Sequence, residues 1–88
     1  MPGDEALLTF PTDYPIKVVG RASAGLRARV DDIVARHAGP MDADRVSARA
    51  SAAGNYVSIT YVIVATSREQ IVALVGELAG ADDVVMVI

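Results

Sequence analysis

The chain has 88 residues, of which 52% are hydrophobic and 22% charged, and its formal net charge is −3. A chain of this length holds one modest core, because it buries only roughly 60–65% of the surface that its unfolded form exposes. The acidic balance argues against nucleic-acid binding, which draws its affinity from Lys and Arg. Without cysteine, disulfides and zinc–thiolate sites are excluded.

The remaining composition bears on cofactors and location. One histidine and no cluster of metal-ligating residue types predict that neither a metal nor another cofactor is bound. The opening MPGDEALLTF lacks the basic segment of a signal peptide, and no apolar stretch reaches the roughly 20 residues of a membrane helix. We therefore expect a cytoplasmic protein with no membrane contact, and we expect residues 1–6 to be flexible.

The first two predicted elements are a strand and a helix. Pro11 and Pro15 bracket a break, after which Ile16–Gly20 alternates like a short strand. The helix follows from an apolar stripe with a period of 3.6 residues, Ser23 is a candidate N-cap, and Gly39 marks the end. The stripe consists of Leu26, Val30, Ile33, Val34 and His37.

Four further elements, three strands and one helix, are predicted. Arg45–Ser51 alternates with small apolar residues, which predicts a weak edge strand. Tyr56–Ala65 is rich in β-branched and aromatic residues and is apolar on both faces in its second half, as in a central strand. Thr66 and Glu69 match a capping box that starts a second helix. The closing VVMVI predicts a last strand.

The order β-α-β-β-α-β predicts a single α+β domain over residues 1–88, the ferredoxin-like βαββαβ sandwich. Its four-stranded antiparallel sheet would have the order 4-1-3-2, with both helices on one face. In this topology the loops at residues 20–25, 51–55 and 80–83 lie at the same end of the sheet.

The helix-free face of the predicted sheet is about half apolar. It would carry Lys17, Arg45, Arg49, Ser58 and Thr60 together with valines. So apolar a surface is unusual for a monomer, and we expect a homodimer or a higher homo-oligomer. The second copy would cover this face or pair edge to edge with the last strand. The residues expected at the interface are Val19, Val62, Val85 and Val87.

Two glycine-containing segments are candidate ligand sites. GRASAGLR (20–27) follows a strand and opens a helix, where ferredoxin-like acylphosphatases hold a phosphate. An acylphosphatase-like hydrolase using Arg21 or Arg27 is therefore an alternative function. The second strand has no asparagine to position a water, so the catalytic set is incomplete and we predict that the protein is not an enzyme. The candidate ligand-binding residues are Gly20, Arg21, Gly25, Gly54, Asn55 and Tyr56, although a hairpin alone explains Gly54-Asn55.

Three other features have structural interpretations. His37 at the end of the first helix can satisfy free helix carbonyls. The neighbouring carboxylates Asp82 and Asp83 are interpreted as solvated surface. Tyr56 and Tyr61 are five residues apart and point to opposite faces of their strand, so they cannot stack two RNA bases as RNA-recognition domains do.

The segments LLTFPTDYPIKVVG, IVARHA, GNYVSITYVIVAT, REQIVAL and VVMVI together resemble the YbeD-like family of small bacterial proteins over residues 7–88. That family is ferredoxin-like and similar to ACT domains, the amino-acid-sensing regulatory modules of metabolic enzymes. The resemblance implies a non-catalytic regulatory or interaction domain that senses a small metabolite or docks on a metabolic enzyme. Relatives commonly carry a lysine before GNY, where this chain has Ala53. ACT ligand loops carry an acid and a glycine before a leucine, and here only Gly25-Leu26 matches.

Overall fold

The computed structural model describes residues 9–88, so the expectation for residues 1–6 lies outside the described residues. The chain forms six regular elements in the predicted order, with one 3₁₀ turn at Ala43–Arg45. The elements are β1 (Thr12–Arg21), α1 (Leu26–Ala38), β2 (Val46–Ala50), β3 (Tyr56–Ala65), α2 (Arg68–Ala79) and β4 (Val84–Val87).

The four strands form one sheet in the order β2-β3-β1-β4. Every neighbouring pair is antiparallel. This is the predicted order 4-1-3-2 read from the opposite edge, so the prediction of a ferredoxin-like fold is confirmed. β1 and β3 pair over ten residues without a shift, from Thr12 opposite Ala65 to Arg21 opposite Tyr56.

The core lies between the sheet and the two helices. Alternate residues of β1 and β3 face the helices, because side chains along a strand alternate between its two faces. Each helix contributes one apolar stripe with the 3.6-residue period of a helix. The buried apolar residues are Ile16, Val18, Leu26, Val30, Ile33, Val34, Ile59, Tyr61, Ile63, Ala65, Leu74 and Leu78. Neither helix has the length and apolar character needed to cross a bilayer within residues 9–88.

β1 begins at Thr12, so the predicted break before Ile16 is wrong. The reason is the position of Pro15. The N–H and C=O of Lys17 bond to Ile88 at 3.0 and 2.8 Å, which places the backbone groups of Lys17 on the β4 side. Because these groups alternate along a strand, the nitrogen of Pro15 also points to the β4 side, beyond the last residue of β4. A proline there removes no ladder hydrogen bond.

α1 begins without a side-chain cap, so the prediction of Ser23 as its N-cap is wrong. Gly25 is the N-cap residue and has φ 86°, in the left-handed region that favours glycine. The hydroxyl of Ser23 instead donates to Asp83 at 3.0 Å. The predicted end is confirmed: the N–H of Gly39 donates to the carbonyl of Ala35 at 2.9 Å.

α2 begins one residue later than predicted. Ser67 is the N-cap residue, and its hydroxyl accepts a hydrogen bond from the N–H of Gln70 at 3.1 Å. The side-chain oxygen of Gln70 accepts from the N–H of Thr66 at 2.6 Å. Gln70 thus bonds to Ser67 through its N–H and to Thr66 through its side chain, and the predicted pair of Thr66 with Glu69 is wrong.

An ion-pair cluster joins the two helices. The guanidinium of Arg36 donates to both carboxylate oxygens of Glu77, and Nε2 of His37 lies 2.7 Å from Oε1. The hydrogen bond from Arg36, and then that from His37, lowers the pKa of Glu77 to about 2. The side chain of His37 thus binds a carboxylate of α2 rather than the carbonyls of its own helix, which corrects the predicted role.

The predicted placement of Val87 on the helix-free face is wrong. β4 sets Val87 opposite the buried Val18 and packs it against the core. A shift of register then places Val84 opposite Gly20, which leaves Val85 in a bulge. The helix-free side of β4 carries Met86, because Met86 lies opposite Val19.

Candidate functional site

The three glycine-containing loops meet at one end of the sheet, as predicted. The N–H of Ala22 donates to the carbonyl of Asn55 at 2.9 Å, which ties the β1–α1 loop to the β2–β3 hairpin. The N–H of Arg21 donates to the carbonyl of Asp83 at 2.8 Å, which ties the same loop to the α2–β4 loop. Backbone hydrogen bonds therefore fix the three loops relative to one another.

Asp83 holds this end of the sheet together. It has φ 68°, in the left-handed region that is uncommon for residues other than glycine. Its Oδ2 accepts from the hydroxyl of Ser23 at 3.0 Å and from Nη2 of Arg29 at 3.2 Å. The interpretation of Asp83 as solvated surface is therefore wrong. It brings to the β1–α1 loop the carboxylate that the loop's own sequence lacks.

Gly20 and Gly25 allow the close approach of these elements. A Cβ atom at Gly20 would lie 2.9 Å from the carbonyl oxygen of Asp83 and 2.9 Å from Cδ2 of Leu26. Gly25 supplies the left-handed conformation from which α1 starts. Both glycines shape the loop, and neither presents a side chain to a ligand.

The hairpin contains the other three predicted site residues. Gly54 has φ 78°, and its N–H donates to the carbonyl of Ser51 at 2.9 Å. Asn55 contributes its carbonyl to the contact between loops described above. The side chain of Tyr56 is 44% exposed, and its residue lies opposite Arg21. The structure thus brings Arg21 and Tyr56 together on the helix-free face and leaves Gly54 in the turn.

A cavity of about 360 Å³ opens beneath the β1–α1 loop, between α1 and the strands β2 and β3. It exists because two helices cannot cover four strands: Ala48 faces the helix side of β2 and is nevertheless exposed. The residues that line the cavity include Ala22, Ser23 and Arg27 on the loop and helix side, and Ala48, Val57 and Ile59 on the sheet side.

Arg27 lies where this cavity adjoins a second one of about 340 Å³. Its Nε donates to both carboxylate oxygens of Asp31, at 2.9 and 3.0 Å, and this bond raises the pKa of Arg27. The hydroxyl of Tyr61 donates to the same carboxylate at 2.5 Å. Burial, and then this hydrogen bond, raise the pKa of Tyr61. The bond to Asp31 uses only Nε of Arg27, and the guanidinium also interacts with the hydroxyl of Tyr61.

The two arginines proposed for phosphate chemistry do not share a site. Arg21 lies on the helix-free side of β1, whereas Arg27 lies on the helix side against Asp31. Within residues 9–88, no group of three or more His, Cys, Asp or Glu side chains is placed to hold a metal ion.

Sequence comparison identifies relatives over nearly the whole chain. The family described as "Protein of unknown function (DUF493)" matches residues 5–88. A "UPF0250 protein" of Leptothrix cholodnii is 38% identical over 80 residues, which cover 91% of this chain and 88% of the relative. A "UPF0250 protein" of Ectopseudomonas mendocina is 39% identical over 82 residues, which cover 92% of this chain and 89% of the relative.

Structure comparison finds the same fold in two solved proteins. The ACT domain of the GTP pyrophosphokinase of Chlorobium tepidum has a TM-score of 0.62 and 17% identity, covering 88% of this chain and 97% of that domain. The C-terminal domain of the MgtC protein of Mycobacterium tuberculosis has a TM-score of 0.61 and 17% identity. The match covers 92% of this chain and 88% of that domain. At this identity the likeness establishes the fold alone.

Proposed function

This chain belongs to the DUF493 family, and we propose that it is a non-catalytic, ACT-like regulatory module that senses a small metabolite and works as a homo-oligomer. The observation that carries the proposal is the cavity beneath the β1–α1 loop, at the end where the three loops are tied together. The fold shared with the ACT domain of the Chlorobium tepidum enzyme supports a regulatory module.

The chemistry of the cavity favours an aliphatic amino acid or a closely similar carboxylate. Its volume of about 360 Å³ is at the lower end of the roughly 300–1,000 Å³ of small-molecule sites, which suits a small ligand. The sheet side is apolar, with Ala48, Val57 and Ile59, and accommodates a short aliphatic chain. The terminal guanidinium nitrogens of Arg27, which do not bond to Asp31, would offer a partner to a carboxylate.

The loop end also holds a carboxylate beside one residue of the cavity lining. Both hydrogen bonds to the carboxylate of Asp83, from Ser23 and from Arg29, use Oδ2. Asp83 is held beside Ser23, which itself lines the cavity. Arg27 and the apolar wall match the carboxylate and the side chain of an aliphatic α-amino acid. Asp83 bonds to Ser23 of the cavity lining but does not line the cavity itself.

Thermal-shift measurements with valine, leucine, isoleucine and their 2-oxo acids test the ligand. A ligand present at 100 times its Kd adds about 2.7 kcal/mol to the stability of the folded state. For a domain of this size that corresponds to a rise in Tm of roughly 10–20 °C. Leucinamide, which lacks the carboxylate, should give no rise.

Two arginine variants make the thermal-shift test specific. The Arg27→Gln variant should lose the response to the ligand, because the carboxylate loses its partner. The Arg49→Gln variant is the matched control, since Arg49 lies on the opposite face of the sheet. If no probe stabilises the wild type, or if Arg27→Gln responds like the wild type, the proposed amino-acid site is wrong.

The edge strand β4 supports the oligomeric part of the proposal. It is the last strand of the sheet and pairs with β1 on one side. Its side chains are unusually exposed for apolar residues: Val85 51%, Met86 49% and Ile88 68%. Pairing of two β4 strands around a two-fold axis would bury these side chains. It would also give hydrogen-bond partners to the unpaired backbone N–H and C=O groups of the edge. Val19 and Val62 lie half-buried on the helix-free face. Their part in the same interface stays a prediction.

Sedimentation velocity tests the oligomer. We expect a dimer at micromolar concentration, and a monomer when Met86→Lys and Ile88→Lys place like charges across the two-fold axis. Val72→Lys is the control, because Val72 is an apolar residue of similar exposure, 65%, that belongs to α2 and not to β4. A wild type that stays monomeric at high micromolar concentration would contradict the proposal.

A further inference from the structure

The helix-free face of the sheet has a polar depression at its centre. The depression has a volume of about 280 Å³ and is lined by Lys17, Ser47, Ala48, Arg49, Ser58 and Thr60. It lies on the opposite side of the sheet from the cavity at the β1–α1 loop. The centre of this face is therefore polar and basic, although the sequence predicts a face that is about half apolar.

The sheet register gathers these side chains from three strands. Thr60 lies between Lys17 of β1 and Ser47 of β2. In the neighbouring row, Ser58 lies opposite Arg49 of β2. Side chains that face each other across antiparallel strands have Cβ atoms about 4.5–5.5 Å apart. Two cations and three hydroxyl groups therefore meet on paired strands rather than on loops.

The charges of this face are not balanced by carboxylates. The chain as a whole has a net charge of −3, yet Asp13 is the one acidic residue in the four strands. The carboxylate of Asp13 is already bound by Nη1 of Arg45 at 3.1 Å. Lys17 and Arg49 form no ion pair within the part of the chain that the structure describes. Their positive charge is available to an anion.

Protection of a sheet edge does not explain both cations. Charged side chains on edge strands prevent strand-to-strand aggregation, and Arg49 on the edge strand β2 fits that role. Lys17 lies on β1, which has a strand on each side. A lysine beside two hydroxyl-bearing strand residues in the middle of a sheet requires another explanation, and an anionic ligand supplies one.

A shallower hollow of about 180 Å³ continues the depression towards the loop end. It shares Lys17, Arg49 and Ser58 with the depression and adds the half-exposed ring of Tyr56. An anion held between the two cations would thus have a flat aromatic surface beside it. A ligand with an anionic end and a planar or apolar end fits both hollows.

We propose that this face binds a phosphate monoester whose phosphate lies between Lys17 and Arg49 and whose planar group lies against Tyr56. Two cations favour a group with up to two negative charges, and three hydroxyls suit the three terminal oxygens of a phosphate better than the two of a carboxylate. The site is distinct from the amino-acid cavity, because the charged and hydroxyl side chains that would bind the ligand lie on the other face of the sheet. The two hollows share with that cavity only Ala48 and Val57, strand residues that separate the two faces.

Binding of AMP, adenosine and inorganic phosphate, measured by calorimetry, tests the site. AMP carries both parts of the expected ligand and should bind. Adenosine lacks the phosphate and should not bind, and inorganic phosphate should bind more weakly than AMP. Arg49→Gln and Lys17→Gln should each weaken AMP binding by about tenfold or more, because each removes a charge-assisted hydrogen bond. Arg27→Gln, on the helix side, is the matched control and should bind AMP like the wild type.

An NMR titration locates the ligand. AMP should shift the backbone amides of Ser47, Ser58 and Thr60. Equal binding of adenosine and AMP, unchanged AMP affinity in both Lys17→Gln and Arg49→Gln, no binding of AMP, or shifts confined to the loop at residues 20–25 would each overturn the proposal. Raising the salt concentration should weaken AMP binding, since the attraction is between charges near the surface.

Discussion

Substitution of Gly20 by alanine adds one methyl group at the point where β1 passes closest to the α2–β4 loop. The new Cβ would lie 2.9 Å from the carbonyl oxygen of Asp83 and from Cδ2 of Leu26. The leucine tip can move, but the carbonyl cannot do so freely, because it accepts the 2.8 Å hydrogen bond from the N–H of Arg21. The strand or the loop must therefore shift.

The cost of this substitution follows from overpacking. Extra methyl groups in well-packed regions cost about 1–3 kcal/mol. For a domain of this size each kcal/mol lowers Tm by about 4–8 °C, so we expect Tm to fall by roughly 4–24 °C. Gly76→Ala is the matched control: Gly76 lies within α2 with no heavy atom within 4 Å of the added Cβ, and the change should stabilise by about 0.5–1 kcal/mol.

Urea unfolding followed by circular dichroism measures both variants. The two substitutions are chemically identical, so opposite signs of the change in free energy of unfolding would reflect their surroundings alone. If Gly20→Ala is as stable as the wild type while Gly76→Ala gains stability, the close approach of the α2–β4 loop to β1 is refuted. The tie between Asp83 and the β1–α1 loop would then fail with it.

Three further predictions concern side chains outside the cavity. The pKa of Glu77 is depressed from 4.5 to about 2, so its contribution to stability is present above pH 4.5 and is lost as the pH falls towards 2. In urea titrations between these two pH values, the free energy of unfolding of Glu77→Gln should therefore change less with pH than that of the wild type. Ser67→Ala should cost about 1 kcal/mol in thermal melts because a cap is lost, and a larger cost for Thr66→Ala would show that the cap is misassigned. Tyr61→Phe should cost about 1–2 kcal/mol by removing the hydrogen bond to Asp31. It should also abolish the last step of the ultraviolet tyrosine titration, and persistence of that step would contradict the raised pKa of Tyr61.

The strand order and the core could be predicted from the sequence because they depend on periodicity. The α1 stripe from Leu26 to Val34 and the alternation of Ile59, Tyr61 and Ile63 appear in the structure as buried faces. The start of β1 could not be predicted locally. Pro15 is tolerated because no residue of β4 lies opposite it: Val87 pairs with Val18 and Ile88 bonds to Lys17. The pairing of a strand distant in sequence therefore decides that position.

The sequence predicted which loops meet, but it did not predict the cavity. The topology places the three loops together, but Arg21 and Tyr56 lie on the helix-free face and none of the six predicted ligand-binding residues lines the cavity. Asp83 was missed because its partners are 54 and 60 residues away along the chain. The cavity was missed because alternation places Ala48 on the helix side without showing that neither helix extends over it.

An NMR titration of the ¹⁵N-labelled protein with leucine tests the central proposal most directly. The amino-acid site predicts that leucine shifts the backbone amides of Ser23, Ala48 and Val57. These shifts should disappear in Arg27→Gln and persist in Arg49→Gln. If leucine, valine, isoleucine and their 2-oxo acids leave those three amides unmoved in the wild type, the cavity is not the sensing site and the proposed function is contradicted.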